Sequence, residues 1–171
     1  IRVSLAASQS NDPKEQAQTA LDEILNVLGG ERAALLLYDE ELGRLRYEAG
    51  RLADKTSFDE LTGHSSSIID RVWEEQKPLI VGAASEGDSI GGESVVLHDL
   101  RSIMASPITI ADRKIGLIYI DTQLVRGMFG EADFEILQSI CTQVGIAIEN
   151  ARVSRLEIEK RTLEHNLEVT E

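Results

Sequence analysis

The sequence predicts an α+β domain: an antiparallel sheet with helices on one face and either loops or a pocket on the other. Two observations carry this. Residues 103–110 and 115–120 are Ile-rich apolar runs around the polar Ala111-Asp112-Arg113-Lys114, which is the pattern of a β-hairpin. Segments nearer both ends of the chain instead repeat apolar residues at helical spacing. Both faces of the hairpin are largely apolar, so both need cover, as at the centre of a sheet. A symmetric turn sets Ile110 opposite Ile115, Ile108 opposite Leu117 and Ser106 opposite Tyr119. Met104, Ser106, Ile108, Leu117, Tyr119 and Asp121 then share one face.

The remaining elements follow in order. Residues 1–12 have no clear period and form a lead-in. Asp12-Pro13 is a helix start, with Asp as N-cap and Pro in the first turn. Ala17, Ala20, Leu21, Ile24, Leu25 and Leu28 make the apolar stripe, and Gly29-Gly30 ends it. Residues 33–38 and 44–49 form a second hairpin around the turn 39–43. Residues 52–64 are polar and irregular. Ser65-Ser66-Ser67 opens a helix that buries Ile68, Ile69, Val72 and Trp73, and Lys77-Pro78 stops it. Leu79-Ile80-Val81 is a short buried strand. Residues 83–93 carry three glycines and two serines and read as a mobile loop or lid. Residues 94–100 read as a short helix or turn.

A last helix starts after Gly130 and meets no breaker to the end of the chain except Gly145. At 1.5 Å per residue, its roughly 40 residues span about 60 Å, too long for one small domain to cover. Its apolar register also changes. Phe134, Leu137, Cys141, Val144, Ile148 and Ala151 make one seam. Val153, Leu156, Lys160, Leu163, Leu167 and Thr170 make another, flanked by Glu157, Glu159, Arg161 and Glu164. Two seams imply two partners: the domain's own sheet, then a second helix in a parallel or antiparallel coiled coil over residues 153–171.

Composition narrows the function classes. The chain has 171 residues and a net charge of −13. Such acidity argues against nucleic acid and against an anionic membrane surface as partners. A lone cysteine, Cys141, excludes an internal disulfide or a Cys-cluster metal site. No run approaches the ~18–20 apolar residues of a membrane span, so a reducing, cytoplasmic setting is the expectation. A chain that begins at Ile1 reads as a fragment of a larger protein.

Several segments together resemble a GAF domain of bacterial signalling proteins: Ser67-Ile68-Ile69-Asp70-Arg71-Val72 with Lys77-Pro78-Leu79; residues 100–108, LRSIMASPI; residues 114–121, KIGLIYID; residues 129–137; and Ala147-Ile148-Glu149-Asn150-Ala151-Arg152. The resemblance spans residues 16–155 and assigns 13–152 to the domain. It implies an antiparallel sheet of five or six strands, terminal helices on one face and a possible ligand pocket on the other. It further implies a homodimer through the terminal helices and a regulatory, non-catalytic task that controls a C-terminal kinase, cyclase, phosphatase or transcription activator. A ligand-free dimerisation and relay module is the alternative. The cyclic-nucleotide-binding branch carries an Asn-Lys pair after the last strand, then Phe, three residues and Asp-Glu. Phe129 and Asp133 keep that spacing, but Asp121-Thr122 replaces the pair and Phe134 the final Glu, so the Lys–Asp lock of that branch cannot form.

Candidate ligand-binding residues are His98, Arg101, Ser106, Tyr119 and Asp121, on or just before the central hairpin. Ser106, Tyr119 and Asp121 are the polar members of its expected pocket face. Arg101 suits an anion or a neighbouring carboxylate. No catalytic or metal constellation stands out, and no particular cofactor is indicated.

Overall fold

The computed structural model describes residues 12–82, 102–123 and 129–170. Residues 1–11 of the expected lead-in, the Gly-rich loop 83–93, the helix or turn 94–100 and most of the connection 123–129 lie outside them. The elements in chain order are α1 (Pro13–Leu28), β1 (Arg32–Asp39), β2 (Arg44–Leu52), α2 (Ser66–Glu75), β3 (Leu79–Val81), β4 (Ser102–Ile110), β5 (Arg113–Thr122) and α3 (Glu131–Thr170).

The strands form one antiparallel sheet in the order β2-β1-β5-β4-β3, so the Ile-rich hairpin does hold its centre. The helix ends follow the local chemistry. Asp12 accepts a hydrogen bond from the Lys14 amide and Pro13 opens α1. The Gly29 amide closes that helix on the Leu25 carbonyl at φ 83°. Asp133 accepts from the Gly130 amide while its own amide donates to the Gly130 carbonyl, a reciprocal cap at the start of α3.

The central turn is tighter than the symmetric reading requires. Ala111-Asp112 alone make it, with Ala111 at φ +52°, and Ile110 pairs with Arg113. A bulge between Ile108 and Thr109 then sets Ile108 opposite Gly116, Ser106 opposite Ile118 and Ala105 opposite Tyr119. Every pair above the bulge is displaced by one residue from the expected register, and a one-residue slip moves a side chain to the other face.

The two faces are therefore sorted as follows. Met104, Ile108, Ile118 and Ile120 face α1 and α3 and share a core with Leu21, Ile24, Leu35, Leu137, Ile140, Cys141 and Val144. Ile103, Ala105, Leu117, Tyr119 and Leu36 face α2 and pack on Ile68, Ile69 and Val72. The first face supports the long helix at close range. A Cβ on Gly145 would lie 2.8–2.9 Å from the Ile108 and Ile110 side chains, so α3 crosses β4 there. Leu137, Ile140, Cys141 and Val144 of α3 are buried, whereas Val153, Leu156, Leu163 and Leu167 are 44–69% exposed.

Candidate functional site

The α2 face of the sheet carries a polar cluster inside an apolar core. Arg32, at the start of β1, meets Asp121 near the end of β5 because those two residues are paired across the strands. Its Nε donates to Asp121 Oδ1 and its Nη2 to Oδ2, both at 2.8 Å, a bidentate fork. The same guanidinium donates to the carbonyls of Thr62 and Gly63. The Tyr119 hydroxyl donates to Asp121 Oδ2 at 2.7 Å and accepts the Ser65 amide at 3.3 Å. His64 stands edge-on to the Tyr119 ring at 6.3 Å. One carboxylate thus gathers β1, β5, the 62–65 segment and the N-terminus of α2.

Electrostatics follow from burial and contact. Burial opposes the Arg32 charge, but the hydrogen-bonded carboxylate outweighs it and raises the guanidinium pKa above its ordinary value. Burial, then the charge and hydrogen bond of Asp121, push the Tyr119 hydroxyl well above the usual tyrosine range. Tyr119 therefore stays neutral at any physiological pH and serves as a hydrogen-bond relay.

Beside this cluster a cleft of about 530 Å³ opens between α2 and the β1–β2 hairpin. Leu36, Leu45, Leu61 and Ile69 form its apolar wall, and Tyr47 and Trp73 its aromatic one. Arg44, Glu60, His64 and Asp70 stand around it. Trp73 is braced from behind by the Tyr38 ring, stacked at 5.2 Å. Tyr47 donates to the Phe58 carbonyl, which ties the irregular segment after β2 to the hairpin. Directly over β4 and β5 the space is filled by Ile68, Ile69 and Val72, so the open volume lies to the hairpin side.

The structure separates the expected site residues. Tyr119 and Asp121 share the α2 face, in one hydrogen-bonded unit. Ser106 does not join them. The bulge turns it to the α1/α3 face, where it is buried, its hydroxyl bonds the Pro107 carbonyl, and its own carbonyl receives the Cys141 thiol at 4.0 Å. His98 and Arg101 lie outside the described residues. Arg32 and the cleft residues Tyr47 and Trp73 were not among the expected site residues. Only one signal marked Arg32, a charge at the head of an otherwise apolar strand. Cys141 lies on the core-facing side of α3, and burial pushes its thiol up to about 12. Among the described residues, no group of three or more His, Cys, Asp or Glu could hold a metal ion, and no helix is long and apolar enough to cross a membrane.

A GAF domain family model matches residues 10–149, most of the chain. This chain belongs to the GAF domain family. Its solved structural relatives are distant in sequence and close in shape. The GAF domain of an Acinetobacter phosphoenolpyruvate-protein phosphotransferase is 15% identical, with a TM-score of 0.69 over 90% of this chain and 92% of that one. The phycocyanobilin-bound GAF domain of a cyanobacterial phytochrome is 17% identical, with a TM-score of 0.68 over 90% and 93%. A free methionine-R-sulfoxide reductase from Neisseria meningitidis, in complex with its substrate, is 16% identical, with a TM-score of 0.68 over 90% and 87%. These likenesses establish the fold. No curated protein sequence matches the chain. A phytochrome GAF domain and a sulfoxide reductase thus share this architecture.

Proposed function

We propose that this GAF domain is a regulatory sensor that self-associates through α3, binds a small molecule in the cleft between α2 and the β1–β2 hairpin, and passes occupancy of that cleft to an effector elsewhere in the same protein. A kinase, cyclase, phosphatase or transcription activator fits that role. The observation that carries self-association is α3 itself. Its first half is built into the core, and its second half carries Val153, Leu156, Leu163 and Leu167 on one exposed stripe. On this reading residues 13–152 act as the sensor and 153–171 as the linker. Light scattering of the chain should give a dimer, and Leu163→Asp should weaken it at least tenfold, by about 1.4 kcal/mol or more. A monomer at high concentration in the unaltered chain would end this reading.

The cleft supports the small-molecule part, because it is concave, largely apolar and rimmed by a few polar groups. Strand β1 supplies a route to the helix: Leu36 lines the cleft, while its neighbours Leu35 and Leu37 line the groove beside α3. Trp73 is the single tryptophan of the chain and lines the cleft, so its fluorescence reports on occupancy directly. Titration with a nucleotide and metabolite panel should change that emission and raise the melting temperature for at least one compound class. A panel that moves neither would favour the ligand-free relay module instead. The chromophore of the phytochrome relative has no obvious anchor here, since Cys141 lies on the opposite face of the sheet from the cleft.

A further inference from the structure

The charged groups on the cleft between α2 and the β1–β2 hairpin narrow what it can hold, once it is taken as the ligand site proposed above. Asp70 and Trp73 are three residues apart on α2, so they share one face of that helix a turn from each other, and both line the cleft. Tyr38 stacks behind the indole and leaves its other face toward the cleft. Glu60 joins the lining from the segment after β2, two residues past Phe58, whose carbonyl accepts the Tyr47 hydroxyl. That bond uses the one donor of Tyr47, so its ring acts as a wall. The Asp70 and Glu60 carboxylates have no hydrogen-bond or ion-pair partner among the described residues, although Arg71, next along α2, pairs with Glu75.

Neutral, negative and positive ligands fare differently in such a lining. A neutral one would cover Asp70 and Glu60 and strip water from two carboxylates without giving either a partner. An anion would add repulsion, in a cleft with two carboxylates and one guanidinium, Arg44, on a chain of net charge −13. A cation meets a carboxylate and the electron-rich face of an indole one helical turn apart, and both attract it. We propose that the cleft takes an organic cation, a protonated amine or quaternary ammonium group on an apolar body. The charged head sits between Asp70 and Trp73, Glu60 adds to the field there, and the body lies on Leu36, Leu45 and Ile69. Arg44, beside Gly43 at the hairpin turn, opposes the cation and so limits its affinity.

Three probes with one phenethyl body and different heads test the class: phenethylamine, positive at neutral pH; 2-phenylethanol, neutral; and 3-phenylpropionate, negative. Each is titrated against the whole 171-residue chain, with Trp73 emission as the readout. Phenethylamine should bind at least about fivefold more tightly than 2-phenylethanol, and 3-phenylpropionate most weakly. Asp70→Asn and Glu60→Gln should each weaken phenethylamine about two- to fivefold and leave 2-phenylethanol unchanged. Both residues are exposed, so neither change threatens the fold. Arg44→Gln should tighten phenethylamine about twofold. Equal affinities for the three heads, or a preference for 3-phenylpropionate, overturns the cation class and leaves the cleft as a ligand site. A preference for phenethylamine that survives both Asp70→Asn and Glu60→Gln overturns the placement of the charge. A Trp73 emission that ignores millimolar phenethylamine also overturns the class, while the nucleotide and metabolite panel still decides whether the cleft holds a ligand of another kind.

Discussion

The two faces of one sheet are built by opposite rules. The α1/α3 face is an apolar core in which helices lie directly on strands. Its tightest point is Gly145 against Ile108 and Ile110. The α2 face has an apolar centre too, but where β1 starts and β5 ends it buries a carboxylate, a guanidinium and a phenol in one unit, and beside that unit it leaves a cleft. A packed apolar face transmits displacement, since it has no slack to absorb it. A face pinned by a few strong polar contacts can hold a loop in one place and leave space beside it. That division suits a module that receives a signal on one side and delivers it on the other.

The largest expected effect breaks the α2 face at its pin. Asp121→Ala leaves Arg32 half-buried without its carboxylate and strips the Tyr119 hydroxyl of its acceptor. Loss of one partner from a buried pair costs about 3–5 kcal/mol. Urea denaturation should register that loss, and hydrogen exchange should increase first in residues 62–65, which Arg32 and Tyr119 hold. Arg32→Met combined with Asp121→Leu should cost less than the single changes added together, with a coupling of about 2–3 kcal/mol. Simple additivity would mean that the cluster is no unit.

A smaller effect probes the other face. On a free helix Gly145→Ala would stabilise by about 1 kcal/mol. Against the sheet the added Cβ meets side chains at 2.8–2.9 Å, an overpacking worth roughly 1–3 kcal/mol. The net expectation is a loss of about 0–2 kcal/mol, partly recovered by Ile110→Val, which removes one of the crowding atoms. If Gly145→Ala raised the unfolding midpoint, α3 would not lie this close to β4.

Much of this contrast was legible in the sequence, and the part that was not has a physical reason. All six residues expected on the α1 stripe are buried, because a period of 3.6 beside a capped start and a Gly-Gly end leaves few alternatives. The central hairpin was legible as the middle of the sheet because both its faces are apolar. That same property hid its register. With apolar residues on both faces of both strands, a slip of one residue costs the pattern little, so the two-residue turn and the bulge at Ile108 left no trace. Ser106 was assigned to the wrong face for this reason alone. Arg32 was missed because its partner lies 89 positions away, across a strand pairing that the local pattern does not encode. The change of register in α3 was legible, because the residues up to Val144 that keep the first spacing are buried and Val153, Leu156, Leu163 and Leu167 of the second are exposed.

The smallest effect at neutral pH sharpens the comparison at high pH, because each face buries one acid in its neutral form. Cys141 sits on the core-facing side of α3 with its thiol pushed up to about 12 by burial, against about 8.5 for an exposed cysteine. Above about pH 8.5 the unfolded chain ionises this thiol while the folded chain keeps it protonated. The unfolded state then binds fewer protons, and stability falls as pH rises. The contribution is fully present below pH 8.5 and is lost progressively toward pH 12, by at most about 1.4 kcal/mol per pH unit. Tyr119 acts with the same sign on the α2 face, also raised by burial, but its loss starts only near pH 10, where an exposed tyrosine ionises. Urea midpoints measured from pH 8 to 11 should therefore decline in two stages. Cys141→Ala should flatten the first stage and leave the second, and Tyr119→Phe should do the reverse. A first stage that survives Cys141→Ala would mean that the thiol is not buried between α3 and the sheet, and the tight helix face would have to be redrawn at the point where it touches the Ser106 carbonyl.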